Sequence, residues 1–189
     1  MKHLKSIALT FLVAFSTVTI TAQTKKVDVT KSTINWVGKK VTGEHSGTIN
    51  IKDGALVFDG KKLTGGTFTV DMVSITVTDL VAGKGKEDLE GHLKSDDFFG
   101  TENFSTSTLL FKTIANKGKN VYTVTADLTI KGKTNPITFD ITAKGNIATA
   151  SLKVDRTKYD IKYKSGNFFE GLGNKVIYDD FDLNVKLKI

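Results

Sequence analysis

Residues able to do acid–base or metal chemistry crowd into one stretch, EDLEGHLKSDDFF, spanning Glu87 to Phe99. Five carboxylates, one histidine and a Phe pair fall within these thirteen residues. On paper Ser95, His92 and Asp96 supply a nucleophile, a base and an orienting acid. Residues this close in sequence rarely take up triad geometry, and no G-x-S-x-G elbow presents the serine. For metal binding, His45 and His92 are the only histidines beyond residue 22, with no HxH or HxxxH spacing. Asp96 and Asp97 are adjacent and diverge unless a loop turns them together. The alternating Asp/Asn pattern of a calcium loop is absent. Paired carboxylates for glycoside cleavage are left open by the pattern, but one Trp is little aromatic surface for a sugar cleft. Gly83-x-Gly85 is too short to be a phosphate loop. The expectation is no catalytic residue, no metal and no cofactor.

The elements that would hold this stretch are strands. Period-two alternation runs through almost the whole chain and is cleanest at its end. There Phe181, Leu183, Val185, Leu187 and Ile189 share one face, and Asp180, Asp182, Asn184, Lys186 and Lys188 share the other. Such a strand is one stave of an antiparallel sheet with a wet outside. The same reading applies to 32–39, 47–52, 55–58, 67–78, 109–114, 121–130, 137–144 and 147–155. Turn signals separate them at Lys52-Asp53-Gly54, Asp59-Gly60, Asn116-Lys117-Gly118, Lys131-Gly132-Lys133 and Lys144-Gly145-Asn146. The lone Pro136 opens a strand, where its missing N–H costs the ladder nothing. About eight strands with short turns and no linker close into one all-β antiparallel barrel or sandwich.

Only 81–104 leaves the β pattern. Glu87 to Lys94 reads as a helix with acidic residues in its first turn, where the helix dipole favours them. Leu89, His92 and Leu93 share a face by their i, i+3, i+4 spacing, and Glu90 and Lys94 form an exposed i, i+4 pair. Ser95 is placed to cap a second short turn. The segment reads as an amphipathic insertion that lays Leu89, Leu93, Phe98 and Phe104 against the sheet, over a barrel mouth.

Composition narrows the function classes. Lys2, His3 and Lys5 precede an apolar run, Ile7 to Ile20, and small residues around Ala22 offer a cleavage point. This is the layout of a secretory signal peptide over 1–22, too short for a membrane span, with the barrel domain occupying 23–189. The formal charge is +7, but the lysines are scattered singly over wet faces. Arg156 is the chain's one arginine, so the expectation is no nucleic acid. With zero Cys, an exported fold must rely on packing and its hydrogen-bonded ladder.

A barrel of this size can hold a small ligand inside. The candidate apolar lining from the first strands is Trp36, Phe58, Phe68, Val70 and Met72. The insertion adds Leu93, Phe98 and Phe104. Later strands add Leu109, Phe111, Phe139, Phe181 and Leu183. Each of these equally suits a dry core. His92, Lys94, Ser95 and Arg156 are candidates to meet a polar end group. The alternative is a structural or stress-related interaction protein with a filled barrel, using its exterior and the Phe168-Phe169 loop. A homodimer is compatible with either.

Four segments together carry a family resemblance. GHLKSDDFF at Gly91 to Phe99 resembles the hallmark segment of the YceI-like family. Phe68 to Ile75 is similar to its preceding long strand. LTIKGKTNPI at Leu128 to Ile137 resembles its hairpin, and VDRTKYDI at Val154 to Ile161 its R-x-[DE]-[FY]-x-I segment. Departures are Ser105 in place of a frequent proline, Asn135 in place of lysine and Asp160 in place of glycine. Ser165 to Asn174 matches no family motif. The resemblance implies a lipocalin-like barrel in the periplasm that carries a long apolar ligand, a polyisoprenoid or fatty-acid-derived amphiphile. It implies a carrier and not an enzyme.

Overall fold

The computed structural model describes residues 22–189, so the expected signal peptide lies outside the described residues except for Ala22. Nine strands and one helix follow in chain order. They are β1 (Gln23–Lys26), β2 (Thr33–Lys40), β3 (Gly43–Asp59), β4 (Lys62–Val77), α1 (Lys86–Lys94), β5 (Thr106–Gly118), β6 (Val121–Ile130), β7 (Lys133–Lys144), β8 (Ile147–Asp155) and β9 (Ile177–Lys188). All pairings are antiparallel, in the order β1-β3-β2-β9-β8-β7-β6-β5-β4. A further β3–β4 pairing closes the ring. The result is a closed eight-stranded barrel, with β1 as an extra strand along the second half of β3. Closure removes the exposed edges that an open sheet would present.

The long strands differ from the expected pattern for a physical reason. Lys52-Asp53-Gly54 is no turn: β3 runs straight through it against β4. The register shifts between Ile51 and Asp53, a β-bulge that moves the inward phase from Ile49 and Ile51 to Leu56 and Phe58. A bulge inserts one residue and flips the alternation, so it imitates a strand break in sequence. β4 has a larger irregularity opposite Thr48 to Asn50, and its inward set changes from Phe68 and Met72 to Ile75 and Val77. There the Ser74 hydroxyl accepts from the Asn50 N–H at 2.8 Å, standing in for a lost ladder bond. Pro136 sits inside β7 and not at its start; β8 pairs only with Ile141–Lys144, so β7 has β6 alone beside the proline.

One end of the barrel is packed solid. Phe68 and Phe111 lie 5.7 Å apart between centroids, and Phe111 and Phe139 5.9 Å. Glycine makes room for these rings: a Cβ on Gly54 would stand 2.6 Å from the Phe68 ring. Leu56, Leu63, Val124 and Ala148 complete this end without exposure. Outside, the scattered lysines pair with carboxylates on neighbouring strands. Asp182 of β9 takes Lys39 of β2 at 3.0 Å and Lys153 of β8 at 2.8 Å.

Candidate functional site

The other end of the barrel is hollow. About 140 Å³ there is open to the centre of a water molecule, and the whole empty space, mouth included, is about 890 Å³. Each wall comes from inward positions of different strands. β2 contributes Ile34, Trp36 and Gly38; β3 contributes Ile49; β4 contributes Val70, Met72 and Ile75. Ser107 of β5, Leu128 and Ile130 of β6, and Phe181 and Leu183 of β9 complete the ring. The insertion supplies Leu93, Phe98 and Phe99, while Lys39, Ile177, Tyr178 and Asp180 also line the space.

The insertion covers this end because three local devices hold it. Leu93 and Phe98 are buried and join the core, and Phe99 packs edge-on to Phe181 of β9. Glu90 does not pair with Lys94 as its spacing predicts. Its carboxylate accepts from the Thr76 hydroxyl at 2.5 Å and from the Val77 N–H at 2.8 Å, tying α1 to the end of β4. Those two bonds hold the Glu90 carboxyl below its usual range. Ser95 ends α1, and its carbonyl accepts from the Phe98 N–H at 3.1 Å to open the second short turn. Its hydroxyl donates back to the His92 carbonyl at 2.8 Å and does not cap that turn.

Arg156 opens a 3₁₀ turn directly after β8 and is buried. Its Nε donates to the Tyr178 carbonyl at 3.1 Å, Nη1 to Ile161 at 2.8 Å and Nη2 to Ile177 at 2.9 Å. Asp179 stands 3.4 Å from Nη2. Burial pushes the guanidinium below its usual pKa, opposed by the charges of Asp179 and Asp155. Arginine nonetheless remains charged at any physiological pH. Arg156, which lines the cavity together with the charged Lys39 and Asp180, is therefore occupied by backbone carbonyls and a carboxylate.

His92 is only half-buried and does not line the cavity. Its ring stands edge-on to Phe98 at 4.9 Å and to Tyr163 at 4.5 Å, with Nε2 3.6 Å from Asp97. Lys94 and Ser95 also lie outside the lining. Among the expected apolar residues, Trp36, Val70, Met72, Leu93, Phe98, Phe181 and Leu183 come together around the cavity. Phe58, Phe68, Leu109, Phe111 and Phe139 do not line it and pack with the core. Phe104 packs instead on the β6–β7 turn, where a Cβ on Gly132 would meet its ring at 3.0 Å. Sequence reasoning did not select Ile34, Ile49, Ile75, Ser107, Leu128 or Ile130. Ser107 carried a signal: it is a polar residue at the inward phase shared with Leu109 and Phe111. No group of three His, Asp or Glu side chains suited to a metal forms among the described residues. No helix among them is long and apolar enough to cross a membrane.

The sequence profile of the YceI-like domain matches residues 25–189. The chain belongs to the YceI-like family. Among sequence relatives, a UPF0312 protein of Shewanella denitrificans is 33% identical over 92 residues, 49% of this chain and 46% of that protein. A UPF0312 protein of Staphylococcus epidermidis is 46% identical over 59 residues, 31% of this chain and 32% of that protein. The chain thus spans less than half the length of these relatives in either match. Solved structures share the fold. Burkholderia cenocepacia BcnA superposes with a TM-score of 0.67 at 23% identity, covering 85% of this chain and 98% of that one. A polyisoprenoid binding domain from Saccharophagus degradans gives 0.56 at 15% identity, covering 86% and 95%.

Proposed function

We propose that this YceI-like protein is a binding and carrier protein that holds a long-chain apolar ligand, a polyisoprenoid or a fatty-acid-derived amphiphile, in the hollow end of its barrel. The observation carrying this reading is the cavity, whose walls are apolar side chains from five strands and the insertion. Burying each CH₂ there contributes about 0.8 kcal/mol, so a long chain is held with little polar recognition. The polyisoprenoid-binding description of the Saccharophagus degradans domain, which shares the fold, is consistent with this ligand class. Binding fits better than catalysis because His92 lies outside the cavity and Arg156 is engaged by main-chain carbonyls. The filled-barrel alternative predicts a solid interior.

Native mass spectrometry of gently purified protein, followed by organic extraction, tests the proposal. A co-purifying lipid bound in a one-to-one ratio is the expected result. Protein that carries no lipid and takes none up on titration would overturn it.

Export belongs to the same proposal, supported by the basic residues Lys2 and Lys5 before the apolar run Ile7 to Ile20. Fractionation with N-terminal sequencing should find a mature chain starting near Gln23 in the periplasm. A cytosolic protein starting at Met1 would refute it.

A further inference from the structure

Phe168 and Phe169 are neighbours in the chain, and both are left in water, at 50% and 49% exposure. They lie in the loop that joins the 3₁₀ turn after β8 to the start of β9. Two adjacent rings gain by burial and would fold down onto the barrel if the loop let them. The loop is braced against that. Ser165 is fully buried, and its carbonyl accepts from the N–H groups of Phe168 at 3.2 Å and Phe169 at 3.0 Å. The Asn167 side chain donates to Asp179 at 2.6 Å, and the Lys164 carbonyl accepts from the Ile177 N–H at 2.9 Å. The exposure of the two rings is therefore part of the fold.

Both ends of the loop reach the hollow end of the barrel. Before the phenylalanines, the Tyr163 ring stands 4.5 Å from His92 and 5.7 Å from Phe98. After them, Ile177 and Tyr178 line the cavity with Phe98. Tyr178 is also half-exposed, so it belongs to the cavity wall and to the outer surface together. Val41, half-exposed on the β2–β3 turn, donates its N–H to the Val176 carbonyl at 3.1 Å and adds apolar surface at the same end.

Charge is interleaved with these rings. Lys162 Nζ lies 5.1 Å from the centroid of Phe168, and Lys164 Nζ 4.9 Å from that of Tyr163. Lys162 also pairs with Asp160 at 2.8 Å, and Asp179 is taken by Arg156 and Asn167. Among the described residues, Lys40, Lys164 and Lys175 make no ion pair, and neither do Glu44, Glu170 and Asp180 nearby. The surface is thus mixed in sign around a half-exposed aromatic pair. A zwitterionic head-group layer complements it, with phosphates for the lysines and ammonium groups for the carboxylates. Aromatic rings with amines at their level suit the boundary between acyl chains and head groups.

Resting on the reading of the barrel as a lipid cavity, we infer that this loop docks the hollow end onto a zwitterionic phospholipid bilayer. Phe168 and Phe169 enter the acyl boundary, and Lys162 and Lys164 stay at head-group level. Docking brings the cavity mouth to the lipid phase, so an apolar chain passes between them with little exposure to water.

Parent protein and Phe168→Ser/Phe169→Ser, purified alike, are floated with phosphatidylcholine–phosphatidylethanolamine vesicles. Both carry the same N-terminus, so any pull from Ile7 to Ile20 is common to them. The double variant should partition about tenfold more weakly, each single variant about threefold, with parental melting temperatures. The difference should persist at high salt, because rings and not net charge supply the attraction. Leu110→Ser, at another half-exposed apolar residue on β5, should partition like the parent. Uptake of retinol is then followed by energy transfer from Trp36, the chain's one tryptophan. The double variant should take retinol from vesicles about tenfold more slowly and from cyclodextrin at the parental rate. Equal vesicle partition of parent and double variant would overturn the inference and leave the cavity reading standing. So would a dimer that the double variant turns into a monomer with no change in vesicle partition, since the loop then joins two copies of the chain. Failure of the parent to take retinol even from cyclodextrin would overturn the cavity reading, and vesicle partition then decides the docking by itself.

Discussion

The guanidinium of Arg156 lies 5.9 Å from the centroid of the Phe98 ring. This contact joins the segment after β8 to the insertion that covers the hollow end. The same arginine gathers carbonyls from Ile161, Ile177 and Tyr178, so it fixes the start of β9 as well. Arg156→Lys keeps the charge but not the planar fork. It should destabilise the fold by about 3 kcal/mol, as removal of one partner from a buried charged network does. Thermal unfolding checks this through a fall in Tm of about 10 °C.

Glu90 couples α1 to β4 through Thr76 and Val77. Its folded pKa is depressed, so its stabilising contribution is present above the ordinary carboxylate pKa of 4.5 and is lost as pH falls through the lower folded value. Asp182, held down by Lys153 and Lys39, and Asp140, held down by Lys117 and Thr123, act in the same direction. Urea midpoints should therefore fall as the protein is acidified below about pH 4.5. Glu90→Gln should cost about 1 kcal/mol at neutral pH and flatten that slope.

Gly47 is the point of closest approach inside the barrel. A Cβ there would lie 1.8 Å from the Thr76 carbonyl oxygen as well as against the Trp36 ring. Gly47→Ala should destabilise by at least about 2 kcal/mol, because the neighbour on one side is backbone and must shift. Trp36 fluorescence should change at the same time. Gly38, with nothing within 4 Å of an added Cβ, is the matched control.

His92 serves packing. Its ring stands edge-on to Phe98 and Tyr163, with centroids 4.9 Å and 4.5 Å away. His92→Phe should leave stability and ligand binding within about 0.5 kcal/mol of the parent, whereas His92→Gln should lose about 1 kcal/mol. Calorimetric unfolding and lipid titration of the two variants check this. A large binding loss in His92→Phe with normal stability would contradict the assignment.

Filling the cavity should separate stability from binding. Leu128→Phe adds volume to a wall of the hollow end. It should hold or raise stability by up to about 1 kcal/mol while weakening uptake of long-chain ligands. Melting temperature and ligand titration on one preparation read both effects.

Much of this was written in local sequence. Strict alternation in β6 and β9, glycine-bearing turns at Gly132 and Gly145, and the helical spacing of Leu89, His92 and Leu93 follow from backbone geometry. Those features specify antiparallel strands with one helical insertion, a pattern that fits a barrel and a sandwich equally. Alternation failed at Lys52-Asp53-Gly54 because a bulge and a turn both interrupt a period of two.

The location of the hollow lay beyond local pattern. Phe68, Phe111 and Phe139 have the same residue type and inward phase that a ligand wall needs, yet they interlock over Gly54 and Gly66 and fill their end. Ile34, Ile49, Ile75 and Leu128 are unremarkable along the chain and become a wall because strand stagger sets them at one level of the ring. Likewise, no local rule shows that Glu90 leaves Lys94 for Thr76. Periodicity states which face of a strand is inside. Volume, register and pairing across the barrel depend on every strand at once, and they exist only after closure.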